Sequence, residues 1–195
     1  AGYGIPLDQA DVAKIASNHE AFFEGGLDLR FTSRGRPPRP YYPTYRQLML
    51  EKDLDGTRRG FLVEEGDFLY LKDMQARNLL IPVVGNLAGD HALRAIGKDV
   101  DARGEQVSTL YASNVEFYLW RDQSFDRFVE NLRALPPRPD TVLIRACFGY
   151  GRPHPAAQPG HRSVTLLQSL PRFLERHHAG AYNHDWDVCT ADSVR

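Results

Sequence analysis

Long apolar runs are missing from this chain of 195 residues. None approaches the roughly 18–20 residues that a membrane-crossing helix needs, so no membrane span is expected. Cysteine is scarce: Cys147 and Cys189 are the two present, too few for a disulfide framework or a Cys-based zinc site. Two such residues are compatible with cytosol or periplasm, the cytoplasm being slightly favoured over export, and Cys147 reads as a small core residue. An excess of one charge is also missing. Lys and Arg number 24 and Asp and Glu 25, a net of −1 with neutral histidines. That balance gives no electrostatic reason to expect nucleic acid or an anionic membrane as partner.

Several signatures are absent as well. There is no full G-x-G-x-x-G, no P-loop Gly-Lys-Ser/Thr, no nucleophile elbow and no H-E-x-x-H. The histidines do not gather: His154 and His161 fall in a loop, His177 and His178 are adjacent, and His184 stands near the end, so no metal is expected. No period of 20–50 residues repeats. The chain opens Ala-Gly-Tyr-Gly without an initiator Met and without a charged segment leading an apolar one. The expectation is that the natural start lies upstream.

What is present is ordinary globular material, 42% hydrophobic and 25% charged, which excludes disorder along the whole chain. Two regions are expected: residues 1–59, helical and Pro-rich, and residues 60–195, an α/β core with a helical tail. Leu7 to Glu24 places Val12, Ile15, Ala16, His19, Phe22 and Phe23 on one helical stripe, with Asp8 as N-cap and Gly25-Gly26 as stop. That stripe is expected to pack. Ser33 to Thr44 holds Pro37, Pro38, Pro40 and Pro43, which favour extended backbone. It reads as a connector anchored by burial of Tyr41, Tyr42 and Tyr45; a lid, or a ligand for a proline-recognition domain, is the alternative. Tyr45 to Glu51 is expected as a short helix, Gly60 to Val63 as a short strand, and Asp67 to Arg77 as a helix.

From Asn78 to Phe148 the pattern alternates. Leu79 to Val84 is a continuous apolar run ended by Gly85, as a strand buried on both faces would be, although Pro82 removes a ladder donor. A helix is expected from Gly89 to Arg103, a strand from Gln106 to Tyr111, and a short helix from Asn114 to Trp120. A helix capped by Ser124 follows, and then a strand from Thr141 to Cys147. Ser163 to Ala179 reads as helical, with Pro171 kinking it or opening a second helix. The implied fold is α/β, Rossmann-like, with a mostly parallel sheet flanked by helices.

Ligands in open α/β sheets bind outside the carboxyl ends of the strands, which selects three loops. The first carries Gly85, Asn86, Gly89 and Asp90, where two glycines permit close backbone approach before a helix N-terminus. The same residues also suit a plain strand-to-helix turn. The second carries Ser113, Asn114 and Glu116: a hydroxyl, an amide and a carboxylate. Asn114 and Glu116 are the catalytic candidates there, and helix capping is the alternative. The third begins at Arg145, unusual inside an apolar strand and expected to pair with Glu116 or Asp90, or else to reach solvent from an edge strand.

The stretch DFLYLKDMQARNLLIPVVGNLAGDHALRAIGKDVDARGEQVSTLYASNVEFYLW, Asp67 to Trp120, resembles the C-terminal half of an uncharacterised bacterial family with a methyltransferase-like α/β fold. The similarity runs from about Gly4 to about Val188. It is strongest at Asn78–Gly89, with its G-x-x-x-G turn, and at Leu110–Trp120, with Y-x-S-N-V-E-x-Y-L. The resemblance implies S-adenosylmethionine as cofactor, held by an upstream half outside this chain, so that the sheet is incomplete on its N-terminal side. Asn86, Ser113, Asn114 and Glu116 would then lie near the methyl acceptor. Two departures stand out: Asn86 where an acidic residue is expected, and Asp90-His91 where Pro-Lys is expected.

The leading expectation is therefore methyl transfer from S-adenosylmethionine, in a chain that takes a small-molecule ligand and docks an upstream half or forms a homo-oligomer. The alternative is a binding or scaffold protein that kept the fold. A third reading is a hydrolase using His154, His161 and Glu116.

Overall fold

The computed structural model describes residues 6–32, 37, 39–149, 151–161 and 163–191. The chain divides into two compact units, residues 1–81 and 82–195. No helix among the described residues is long and apolar enough to cross a membrane.

The first unit is helical. Helix α1 spans Gln9–Gly25, and Asp8 caps it by accepting from the Asp11 amide at 2.8 Å. It stops where Gly26 takes φ +51°, a conformation that favours glycine. Helix α2, Tyr45–Leu50, is capped by Thr44, and helix α3 spans Glu65–Ala76. The strand expected at residues 60–63 is instead a turn, closed by the Val63 amide on the Gly60 carbonyl. The stripe on α1 does not pack as expected: Val12 and Ile15 are each 55% exposed and Phe23 84%. Periodicity makes a helix amphipathic but does not supply a partner for its apolar face. In the connector, Tyr41 and Tyr45 are exposed rather than buried, and Tyr42 sits edge-on to Phe31 and Tyr41 at 5.3 and 5.0 Å. Arg34, Arg36 and Pro38 lie outside the described residues.

The second unit is α/β. Strand β1 (Val107–Ser113) pairs in parallel with β2 (Pro137–Phe148), and β2 pairs antiparallel with β3 (Ser163–Ser169), giving a three-stranded open sheet in the order β1-β2-β3. Parallel neighbours need a crossover, which helices α5 (Val115–Arg121) and α6 (Phe125–Leu132) supply. Helix α4 (Ala92–Ala102) precedes the sheet, and α7 (Leu170–His178) and α8 (Asp185–Thr190) follow it. Along β2 burial alternates. Thr141, Leu143, Arg145 and Cys147 are buried, whereas Val142, Ile144, Ala146 and Phe148 are half-buried. The buried face meets Phe125, Phe128, Leu132, Leu170 and Phe173 in one apolar core. Close packing leaves no room at Gly97, where a Cβ would fall 2.2 Å from the Ala134 carbonyl.

Four expectations need correction. Residues 79–84 form no strand, and Val84 is fully exposed. Residues 163–169 are strand, not helix: Val164, Leu166 and Gln168 alternate along β3, and the helix begins at Leu170 with Pro171 in its first turn. The sheet is mixed, with one parallel and one antiparallel pairing. Ser124 precedes α6, but its hydroxyl donates to the Leu119 carbonyl at 3.4 Å instead of capping the helix.

Candidate functional site

The carboxyl ends of β1 and β2 point the same way and form a rim. β1 ends at Ser113, whose φ of +54° is rare for a residue with a side chain. Its hydroxyl lies 3.5 Å from Asn114 Oδ1. Asn114 stands at the α5 N-cap without making a side-chain cap. Two residues on, Glu116 turns inward and is 5% exposed.

Glu116 meets Arg145 there. Glu116 Oε2 lies 2.8 Å from Arg145 Nε, and both side chains are buried. Arg145 Nη1 donates to Gln168 Oε1 and, at 2.9 Å, to the Val188 carbonyl. Its guanidinium lies 5.0 Å from the centre of the Phe173 ring. Gln168 in turn donates through Nε2 to the Tyr182 hydroxyl and the Ala191 carbonyl, each at 3.2 Å. Burial pushes the Glu116 carboxyl above its ordinary value, against the pull of Arg145, and burial pushes Arg145 down. Among the described residues, Glu116 Oε1 and Arg145 Nη2 have no hydrogen-bond partner. Beside them Asn114, Glu116, Asp185 and both cysteines border a cavity of about 20 Å³, roughly the space one water needs.

Cys147 is not a free core thiol. It is bonded to Cys189, across a sequence separation of 42 residues. The β2–β3 connection then borders a larger groove of about 410 Å³, with Phe148, Pro153 and Val164 as apolar lining and Arg152, His154 and His161 as nitrogen-bearing side chains. His154 is occupied structurally. Its Nδ1 accepts from the Ala156 amide at 3.0 Å, which leaves Nε2 as the donor to the Cys189 carbonyl, also at 3.0 Å. Neither nitrogen is left to move a proton. Arg152 lies over the Trp186 ring at 5.5 Å.

The first loop lies away from the sheet. A Cβ on Gly85 would strike that of Ala92 at 2.3 Å, so this glycine serves the close approach of loop and helix. Asn86 Oδ1 accepts from the Ala88 amide at 2.9 Å, and a Cβ on Gly89 would crowd Asn86. Asp90 pairs with Arg127 at the surface, not with Arg145. The buried Asn131 of α6 holds this loop, donating to the Leu87 and Gly89 carbonyls at 2.8 and 2.7 Å and accepting from Arg94 at 2.9 Å. Replacing Asn131 by leucine leaves both carbonyls without that donor. The expected cost is about 2 kcal/mol in urea unfolding.

The structure thus brings Ser113, Asn114, Glu116 and Arg145 to one rim and leaves Gly85, Asn86, Gly89 and Asp90 apart from it. Gln168, Arg152 and the disulfide escaped the sequence reading, which named His154 only as a loop histidine and hydrolase candidate. Gln168 sits at an inward position of a strand read as helix, a signal visible only once the strand is assigned. Among the described residues no group of three or more His, Cys, Asp or Glu side chains is placed to hold a metal.

The profile of a family described as a domain of unknown function, DUF7790, matches residues 36–191. No curated protein matches the chain.

Proposed function

The chain belongs to the DUF7790 family of unknown function, and from that starting point we propose that its α/β unit is a binding domain for a small anionic ligand with an apolar body. The groove after β2 carries this reading. It opens outside the carboxyl end of a parallel strand, where open α/β sheets place ligands. Phe148, Pro153 and Val164 line it, and Arg152 and His161 border it. Apolar walls with few polar groups are the usual makeup of a small-molecule site, and a guanidinium favours a carboxylate or phosphate. Glu116 takes no catalytic part in this reading, because Arg145 holds it inside the fold.

The experiment is a thermal melt with benzoate against benzylamine, matched in shape and opposite in charge. Benzoate at about ten times its Kd raises Tm by about 3 °C, and benzylamine leaves it unchanged. Equal shifts with both, or none with either, overturn the reading.

Methyl transfer retains one supporting observation. A parallel pair bordered by an antiparallel edge strand recurs in doubly wound sheets, and β1–β2–β3 has that arrangement. The residues present do not form a cradle for S-adenosylmethionine, however. The resemblance places that cradle upstream of this chain, and among the described residues Gly85 abuts Ala92 and residues 79–84 stand outside the sheet. A Tm increase with S-adenosylhomocysteine at millimolar concentration favours methyl transfer over the binding reading; an unchanged Tm removes it.

A further inference from the structure

Helix α8 has six residues, Asp185–Thr190. A helix that short does not persist in water on its own merits, so its position depends on docking. Its docking is unusual in kind. Three backbone carbonyls at its C-terminal end are held by side chains of three other segments. Val188 O accepts from Arg145 of β2 at 2.9 Å, Cys189 O from His154 of the β2–β3 connection at 3.0 Å, and Ala191 O from Gln168 of β3 at 3.2 Å. The Trp186 ring meets His154 edge-on at 6.0 Å. One covalent bond, Cys147–Cys189, completes the attachment. α8 covers the Arg145–Glu116 pair and the small cavity beside it, and it buries Val188 in the apolar core. Cys147 is 3% exposed, whereas Cys189 is half-buried.

We infer that the Cys147–Cys189 bond is a thiol–disulfide exchange site that holds α8 as a releasable latch over the buried Arg145–Glu116 pair. The reductant is a dithiol. One of its thiolates attacks Cys189 Sγ, the S–S bond breaks, and Cys147 leaves as a thiolate that takes up a proton. The second thiolate of the reductant then attacks the mixed disulfide, closing the reductant's own disulfide and releasing Cys189, which is protonated in turn. Two electrons and two protons pass to the protein. Without the bond, three hydrogen bonds to backbone carbonyls and the burial of Val188 remain to hold six residues, and Arg145 loses a carbonyl each time the helix lifts. The latch stands independently of the groove reading, since its release is measured on the protein alone.

The test is hydrogen exchange on the full chain without denaturant, oxidised and after treatment with dithiothreitol. On reduction the amides of residues 187–191 exchange within about tenfold of the rate of an unstructured chain, while those of residues 142–146 stay protected at least about a hundredfold, the pattern of local opening. Cys189→Ala, untreated, reproduces that pattern. Three results overturn the inference. One is a bridge that dithiothreitol leaves intact, as counted by thiol alkylation. Another is unchanged exchange over residues 187–191. The last is equal protection of α8 and β2 after reduction, which makes the bond a staple of the whole unit and not a latch.

Discussion

Arg145→Met is expected to lower the unfolding free energy by about 3–5 kcal/mol, and Glu116→Leu by a similar amount, because each strands a buried partner. The two ends of the pair fail differently. Without Arg145, the Glu116 carboxylate is buried among apolar groups, and Gln168 Oε1 and the Val188 carbonyl lose their donor. Without the Glu116 charge, Arg145 retains a carbonyl, an amide oxygen and the Phe173 ring, which stabilise a guanidinium less than a carboxylate does. The double variant Glu116→Leu/Arg145→Met removes both charges together, and its cost is expected to be no more than about 2 kcal/mol. Urea unfolding of the four proteins closes a double-mutant cycle. A coupling below about 1 kcal/mol contradicts the pair as a stabilising unit.

This pair was half legible in the sequence. An arginine inside the apolar strand Thr-Val-Leu-Ile-Arg-Ala-Cys needs a counter-charge, and Glu116 and Asp90 were the candidates at neighbouring strand ends. The structure selects Glu116, because Asp90 lies on a loop outside the sheet and meets Arg127 instead. β1 and β2 were readable for a related reason. Each is an apolar, β-branched run ended by a turn, and the helices between them are long enough to make the crossover. The same rule failed at residues 79–84, which have the composition of a buried strand but no strand beside them in the sheet. Strand formation is a property of pairs, and composition reports one member only. At residues 163–169 two periods competed. Leu166, Leu170, Phe173 and Leu174 recur at helical spacing, while Val164, Leu166 and Gln168 alternate. Pairing with β2 decided in favour of the strand up to Ser169, and the helix took over where Pro171 fits its first turn.

Removing the bridge with Cys147→Ala/Cys189→Ala is expected to cost about 4 kcal/mol in urea unfolding without reductant. The separation of 42 residues sets the size. Cross-linking ends that far apart removes much of the unfolded chain's freedom, and in the chain-entropy account the gain grows with the logarithm of the loop. The enclosed segment includes all of β3 and α7, so the bond ties the last helix to the strand that carries Arg145. A cost below about 1 kcal/mol would mean that the reduced chain is already constrained by residual structure. The expected loss is a large share of the roughly 5–15 kcal/mol that holds a domain folded. The α/β unit is therefore best suited to a setting in which the bond forms and persists, and a rise in reducing power there acts first on its C-terminal end. The near-UV circular dichroism of the double variant distinguishes the two levels. If the signal of the Trp120–Phe125 stack, with its rings 4.4 Å apart, survives while the midpoint falls, the core has kept its packing and the bond acted mainly on the unfolded chain.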